Sequence, residues 1–226
     1  MNFLAIDTSA NFLSLALQYN GEQTFLLELV GNKQSSFIIP KIQELLMQTN
    51  ISINKIDAIA YNQGPGSFTG LRIGLSVALG IANGLNIQII PIPAFSIYAQ
   101  SIRSKTQCNK VLVGLDARLK QMYVAGVELT HFNYFIQPQV IAPALIETNE
   151  NSIVCIGNGF REYYDLFPAN IQQLEILDIE YPNALNMLQL INSGIYKPIP
   201  TLNADLFYLR NKVALTSLEQ SQLKHK

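Results

Sequence analysis

Asp7-Thr8-Ser9 and Asp116-Ala117-Arg118 each close a short apolar run, residues 3–6 in one case and 111–115 in the other. A carboxylate and hydroxyls at a strand end can hold a metal-bound water and, with nearby backbone N–H groups, meet a phosphate. Arg72, the only charge in residues 69–84, adds a cation that could reach a phosphate or a partner's carboxylate, and reads equally well as a solvated or internally paired arginine. Asp7, Thr8, Ser9, Arg72, Asp116 and Arg118 are therefore the candidate nucleotide or phosphate contacts. Plainer readings stand beside this one. The turn Thr8-Ser9-Ala10-Asn11 lacks a glycine that would let phosphate approach the backbone, so Asp7 also reads as the polar anchor of a hairpin turn. Asp116 mirrors Asp7, as if two carboxylates faced each other across a cleft, yet an ion pair of Asp116 with Arg118 or Arg72 accounts for it equally well.

Other chemistries find less support. Gly64-Pro65-Gly66 has neither the Gly-Lys-Ser/Thr ending of a P-loop nor the glycine spacing of a dinucleotide fold. The two histidines, His131 and His225, are far apart and form no ligand motif. In Gly66-Ser67-Phe68-Thr69-Gly70 the centre of the would-be nucleophile elbow is Phe68, not a serine. Cys108 and Cys155 fit no metal or redox spacing and read as reduced thiols. No catalytic residue and no metal ligand is assigned. The net charge of −1 argues against a chain that grips nucleic acid by itself, since such proteins carry a basic stripe.

The elements that must position these residues follow from periodicity. Residues 3–6, 12–19 and 24–30 read as three strands, with Asn20-Gly21 as a hairpin signal. Ile38, Ile39, Ile42, Leu45 and Leu46 share one face at helical spacing, with Ser35 or Ser36 as cap and Pro40 tolerable only near the first turn or at a kink. A strand at 56–61, the glycine loop, a helix over 69–84 capped by Ser67 or Thr69, a strand at 87–92 and a helix at 94–102 complete the first half. Residues 104–109 are polar and read as a hinge. A similar order then repeats: strands at 111–115, 121–129 and 131–137, a short helix at 142–147, a strand at 153–156, and helical stretches at 160–166 and 184–192. The last dozen residues, rich in Lys, Gln and Ser, read as a mobile tail.

Three antiparallel strands followed by helix, strand and helix is the plan of a ribonuclease-H-like unit. Two in tandem give an α/β fold of the actin, sugar-kinase and Hsp70 type, with lobes at 1–103 and 104–226; a single larger α/β domain is the alternative. The apolar content of 49% against 14% charged residues is ample for a core and implies some surface covered by a partner. The uncharged run 73–102 is cut by Gly84, Asn86, Pro91 and Pro93 into pieces expected to be too short for a bilayer. The N-terminus lacks the basic region of a signal peptide, so a cytoplasmic protein with no membrane partner is expected. The helix over 69–84 carries Gly70 and Gly74, Ala78 and Ala82, and Gly80 and Gly84, each pair four apart. Glycine inside a helix costs roughly 0.8–1 kcal/mol relative to alanine, so close approach of another backbone is expected. That approach is either the protein's own sheet or a helix pair from another chain.

Gly64-Pro-Gly-Ser-Phe-Thr-Gly-Leu-Arg-Ile-Gly74 resembles the signature of the TsaB (YeaZ) family, subunits of the bacterial machinery for threonylcarbamoyladenosine in tRNA. Asp116-Ala-Arg118 with Met122-Tyr123, Ile156-Gly-Asn-Gly-Phe160 and Phe207-Tyr-Leu-Arg-Asn-Lys-Val-Ala214 resemble later family segments, although Leu206 stands where relatives often have proline. Gln34 stands where many relatives have a histidine, and the chain lacks the paired metal-binding histidines of the catalytic paralogue TsaD. The resemblance implies a non-catalytic subunit without a cofactor of its own, with ATP or ADP and magnesium belonging to the assembled complex. It implies pairing with TsaD through first-lobe helices, at Ile38, Ile42, Leu45, Leu46, Thr69, Gly70, Ile73, Gly74, Val77, Ala78 and Ile81. It further implies TsaE as an additional partner, tRNA met through the complex, and a homodimer through the same helices as the other assembly. The assembly would transfer threonylcarbamoyl from its adenylate to the adenosine beside the anticodon in tRNAs that read codons beginning with A. The rival readings are a nucleotide-dependent ATPase or phosphotransferase of the actin-like fold and a glycoprotease-like peptidase.

Overall fold

The computed structural model describes residues 1–150, 152–177, 181 and 183–210. The expected tail, and residues 211–214 of the Tyr-Leu-Arg segment, lie outside these. The first half contains β1 (Phe3–Asp7), β2 (Phe12–Tyr19), β3 (Glu22–Leu29), α1 (Gln34–Gln48), β4 (Ala58–Gly64), α2 (Phe68–Leu85), β5 (Gln88–Pro93) and α3 (Ala94–Ile102). The second contains β6 (Lys110–Asp116), β7 (Met122–Glu128), β8 (Tyr134–Ile141), β9 (Ile153–Ile156), α4 (Asn158–Glu162), α5 (Ala169–Gln172), β10 (Glu175–Leu177) and α6 (Ala184–Asn192). The sheets are ordered β3-β2-β1-β4-β5 and β8-β7-β6-β9-β10. In each, the first three strands pair antiparallel and the last two join in parallel. The two sheets thus repeat one ribonuclease-H-like plan, which makes the bilobal, actin-like fold.

Side-chain alternation builds the layers. Leu4 and Ile6 of β1, Leu13, Leu15 and Leu17 of β2, and Ile59 and Tyr61 of β4 face α1 and α2. The opposite face offers Ala5, Ala16, Ala58 and Ala60, small residues that let helices lie close. α3 and α6 fill that side, and their core continues into Val111, Val113, Ala125 and Val127 of the second sheet. Beyond that sheet, Leu112, Met122, Val124 and Cys155 pack with Phe160 of α4. Each fully buried Leu or Ile here contributes about 1.5–3 kcal/mol.

Several local expectations change. α1 starts at Gln34 with no side-chain cap on its first turn; Ser35 and Ser36 lie inside the helix. Gln34 Nε2 donates instead to the carbonyls of Ala10 and Phe12, at 2.8 and 3.1 Å, tying the helix start to the β1–β2 turn. Pro40 sits in the second turn, exposed, and the helix runs through it. Ser67 does cap α2, accepting from Gly70 N at 3.3 Å. The helix expected at 142–147 is a 3-10 turn, Pro143–Leu145. The stretch 160–166 divides into α4 and the 3-10 turn Tyr164–Leu166, while α5 and β10 were not anticipated. β8 begins three residues later than expected and contains Pro138, tolerable because it is an edge strand bonded only to β7. α2, at 18 residues, is not too short: among the described residues it is the one helix long and apolar enough to cross a membrane by those criteria alone.

α6 returns the chain to the first sheet. Ala184 N donates to Ser14 Oγ at 2.9 Å, and Gln18 and Asn192 exchange two amide hydrogen bonds of 3.1 and 2.7 Å. Ile199 and Ile89 then exchange backbone bonds of 2.8 and 3.0 Å, placing the following residues 204–210 along the end of β4.

Candidate functional site

The first-lobe turn is closed by the chain itself. Asp7 is buried, with Oδ1 accepting from Ser9 N at 2.8 Å and Oδ2 from Asn62 Nδ2 at 2.7 Å. Asn62 Nδ2 also reaches Ser9 Oγ at 3.0 Å, and its Oδ1 accepts from Gly64 N at 2.8 Å. The glycine loop lies directly over this turn: Ser67 N donates to Ser9 O at 2.8 Å, and a Cβ on Gly66 would stand 2.8 Å from Ser9 Cβ. Thr8 is turned under α2, its Oγ1 donating to Gly70 O at 2.7 Å. Of the expected triad only Ser9 lines the cleft between the lobes. Asp7 therefore does not fit direct contact with a metal ion, and among the described residues no cluster of three or more His, Cys, Asp or Glu could hold one.

Burial pushes the Asp7 carboxyl above its ordinary pKa, with the Ser9 and Asn62 hydrogen bonds working against that rise. Its folded pKa thus exceeds its unfolded one. The stability it contributes is fully present below the ordinary carboxylate pKa of about 4 and is lost as pH rises through the higher folded value. Asp7→Asn is expected to flatten this loss. Urea unfolding across pH should show a wild-type-minus-variant difference that declines upward from about pH 4. A difference that does not vary with pH would remove the assignment.

Asp116, in the second lobe, does line the cleft. Its Oδ1 accepts from Arg118 N and from Tyr163 OH, both at 2.7 Å, and its Oδ2 faces Arg118 Nη1 at 3.2 Å. Tyr163 keeps its proton, its phenol pushed up to about 12 by burial and then by Asp116. Asp116 is thus held by its own turn, and the pairing is with Arg118 rather than Arg72. Arg72 lies over the Phe68 ring, 3.9 Å from its centroid, and its Nε donates to Tyr208 OH at 3.1 Å. It is absent from the cleft wall. Asp7 and Asp116 therefore do not form a pair of carboxylates across the cleft. That cleft, of about 820 Å³, is walled largely by aromatic rings, amides and hydroxyls.

The two lobes share one construction detail. A Cβ on Gly70 would lie 2.0 Å from Thr8 O, and one on Gly157 2.3 Å from Gly114 O. In each lobe a glycine at a helix start lets that helix press on the end of the strand carrying the aspartate. Asn158 at the start of α4 adds a bond from Asp116 N to its Oδ1, at 3.0 Å. Asn62, Tyr163 and Asn158 were missed as members of these turns, and Tyr208 as the partner of Arg72. Asn62 alone gave a signal, as an amide ending an otherwise apolar strand.

Residues 204–210 strap the lobes together. Tyr61 OH donates to Asp205 O at 2.6 Å, Gln63 Nε2 to Asp205 Oδ1 at 2.6 Å, and Phe207 N to Gln63 O at 2.8 Å. Arg210 Nη2 then reaches Gln121 Oε1 at 2.5 Å in the second lobe.

The expected partner face divides in two. Ile38, Ile42 and Leu45 are buried against the first sheet, as are Gly70, Gly74 and Ala78. These six leave the candidate face, because their side of each helix is spent on the chain's own core. Leu46, Ile73, Val77 and Ile81 are half-buried and Thr69 is exposed. They are joined on the outward side by Gly80 and Gly84, around which no atom lies within 4 Å of an added Cβ. Ile39, 45% exposed, and Met47, 74% exposed, extend the apolar surface along α1. Five of the eighteen residues of α2 are buried.

The family model described as TsaD, tRNA N6-adenosine threonylcarbamoyltransferase, matches residues 28–152. A Haemophilus influenzae protein named "tRNA threonylcarbamoyladenosine biosynthesis protein TsaB" is 32% identical, covering 96% of this chain and 97% of the relative. The Escherichia coli protein of the same name is 30% identical, over 96% and 98%. A Pseudomonas aeruginosa crystal structure, described as an uncharacterized protein with similarity to peptidase YEAZ, superposes with a TM-score of 0.83 at 25% identity, over 92% of this chain and 99% of that one. This chain belongs to the TsaB family.

Proposed function

We propose that the chain acts in tRNA threonylcarbamoyladenosine biosynthesis as a non-catalytic subunit that holds TsaD through the outer face of α1 and α2. The observation that carries this reading is α2: five of its eighteen apolar-rich residues are buried, Ile73, Val77 and Ile81 at the edge of the core are only half-buried, and Gly80 and Gly84 are open outward. An apolar helix face left in water is stabilised by a partner, and open glycines let a second helix come close. The first-lobe turn supports the same reading, because the loop that covers Ser9 and the amide that holds Asp7 leave that carboxylate no part in chemistry. On this reading TsaE joins the pair, tRNA is met through the complex, and ATP or ADP with magnesium belongs to the assembly. A homodimer through the same face is the free chain's resting form, and the work is cytoplasmic.

Reconstitution tests it. Purified TsaD, TsaE and the enzyme that makes threonylcarbamoyl-adenylate are combined with tRNA, with and without this chain. The expected result is modified adenosine only when the chain is present, and none from the chain with the synthase alone. Full modification without the chain would end the subunit reading.

A further inference from the structure

The turn between β6 and β7 holds a backbone conformation that closing a hairpin does not demand. Arg118, Leu119 and Lys120 have φ of 65°, 54° and 55°. L residues visit this left-handed region singly, not in runs. The turn is braced on three sides. Ala117 N donates to Gln121 O at 2.9 Å, Gln121 N to Arg118 O at 3.1 Å, and Arg210 Nη2 to Gln121 Oε1 at 2.5 Å. Conformations of this kind persist where the surroundings over-determine them, and they gather at ligand contacts.

The tip presents two exposed cations flanking an exposed leucine; Arg118 and Leu119 line the interlobe cleft, and Lys120 follows them in the same turn just outside its wall. The Arg118 side chain is 86% exposed, with Nη1 beside Asp116 and the rest of the guanidinium outward. Across the cleft, Ser9, Asn11, Asn32 and Ser67 offer hydroxyls and amides, and among the described residues that wall carries no acid. The acids lining the cleft, Asp116 and Glu162, are set against Arg118, Arg161 and the strap's Arg210, a small cationic excess on a chain of net charge −1.

We propose that this tip is a contact for the phosphate backbone of RNA, with Arg118 and Lys120 each meeting a phosphate at the cleft mouth. The proposal rests on the reading of the chain as a subunit of a tRNA-modifying assembly, and it adds where on this subunit the RNA is met. Two phosphate contacts suit a chain whose overall charge cannot hold RNA alone, since each neutralised phosphate adds a salt-dependent increment to a grip shared with the partner.

The test is anisotropy of labelled, unmodified tRNA with the full chain in its TsaD complex, across a salt series. Arg118→Gln with Lys120→Gln should leave TsaD pairing intact and raise the tRNA Kd about 5- to 20-fold. The slope of log K against log salt should fall by about 1 per cation removed. Lys55→Gln with Lys105→Gln, exposed cations outside the cleft lining, should change neither quantity. Unchanged affinity and slope in the tip variant, with pairing intact, would overturn the proposal. Loss of TsaD pairing by the tip variant would overturn it too, making the tip a protein contact. If the wild-type chain does not pair with TsaD, it is the subunit reading that fails. The same series on the chain alone at low salt then decides the tip: a lower slope in the variant keeps it, and equal slopes reject it.

Discussion

Gly70→Ala is expected to destabilise the chain by about 3–5 kcal/mol, the largest loss of any single methyl addition in the first lobe. An alanine Cβ there would stand 2.0 Å from Thr8 O and 3.1 Å from Thr8 C, and both are backbone. Thr8 cannot step aside, because Asp7 on one side is bonded to Asn62 and Ser9 on the other accepts from Ser67 N. Relief therefore means moving the first turn of α2 off β1, which breaks the Thr8 Oγ1 bond to Gly70 O. Alanine's better helix propensity favours the variant by only about 1 kcal/mol and is outweighed. Two companions calibrate the result. Gly74→Ala meets Thr8 Oγ1 at 2.5 Å, a side-chain atom that can rotate at the expense of its hydrogen bond, so a loss of about 1–3 kcal/mol is expected. Gly80→Ala meets nothing within 4 Å and should stabilise the isolated chain by about 0.5–1 kcal/mol. Urea unfolding of the three variants should rank them in that order. A Gly70→Ala variant within about 1 kcal/mol of wild type would mean that the helix start is not fixed where these distances place it.

That series also shows where the sequence was readable and where it was not. Pairs of small residues four apart on one helix announce that something comes close, but not whether it is the chain's own sheet or another molecule. Both answers apply, on opposite sides of one helix. Gly70, Gly74, Ala78 and Ala82 form the stripe on the sheet, and Gly80 with Gly84 the stripe away from it. Since 3.6 residues make a turn, positions 80 and 84 are displaced around the helix from 74 and 78, and a helical wheel alone does not say which stripe faces the sheet. The strand order was legible because apolar alternation and turn residues are local signals. The β1–β2 turn was legible as a hairpin with Asp7 as its polar anchor, which accepts from Ser9 N; its lid Gly66 and its second anchor Asn62 were not, because they stand more than fifty residues away. Arg72 is the internally paired arginine of the plainer reading, but its partners were hidden for a similar reason: Phe68 is one turn before it and Tyr208 far along the chain. α5 and β10 lie in short segments with little periodicity, where tertiary contact makes the structure: β10 pairs with β9, and Ile171 of α5 is buried in the second-lobe core.

Gly80→Arg is the substitution that should separate the partner face from the fold. The position is exposed and open in this chain, so the isolated variant should match the wild type in urea midpoint, and arginine helps a helix where glycine hinders it. Against a packed partner helix the same side chain meets a surface 8–10 Å away axis to axis, with its charge held out of water. A loss of at least about 100-fold in affinity for TsaD is expected, roughly 2.7 kcal/mol, and calorimetry with purified TsaD reads it directly. Ile39→Asp on α1 should act in the same direction and less strongly, because that side chain is already half in water. An undiminished TsaD affinity in Gly80→Arg would move the interface off α2. The modification assay then distinguishes a docking subunit from a chemical one. If the chain only positions TsaD, the variant's defect is a population of unpaired TsaD, and raising its concentration past the weakened Kd must restore the full rate. If it supplies a group to the reaction through this face, the rate at saturation stays low however much is added. The exposed glycines of this face, Gly80 and Gly84, bring no side chain to a reaction, so on the docking reading full restoration is the expected outcome.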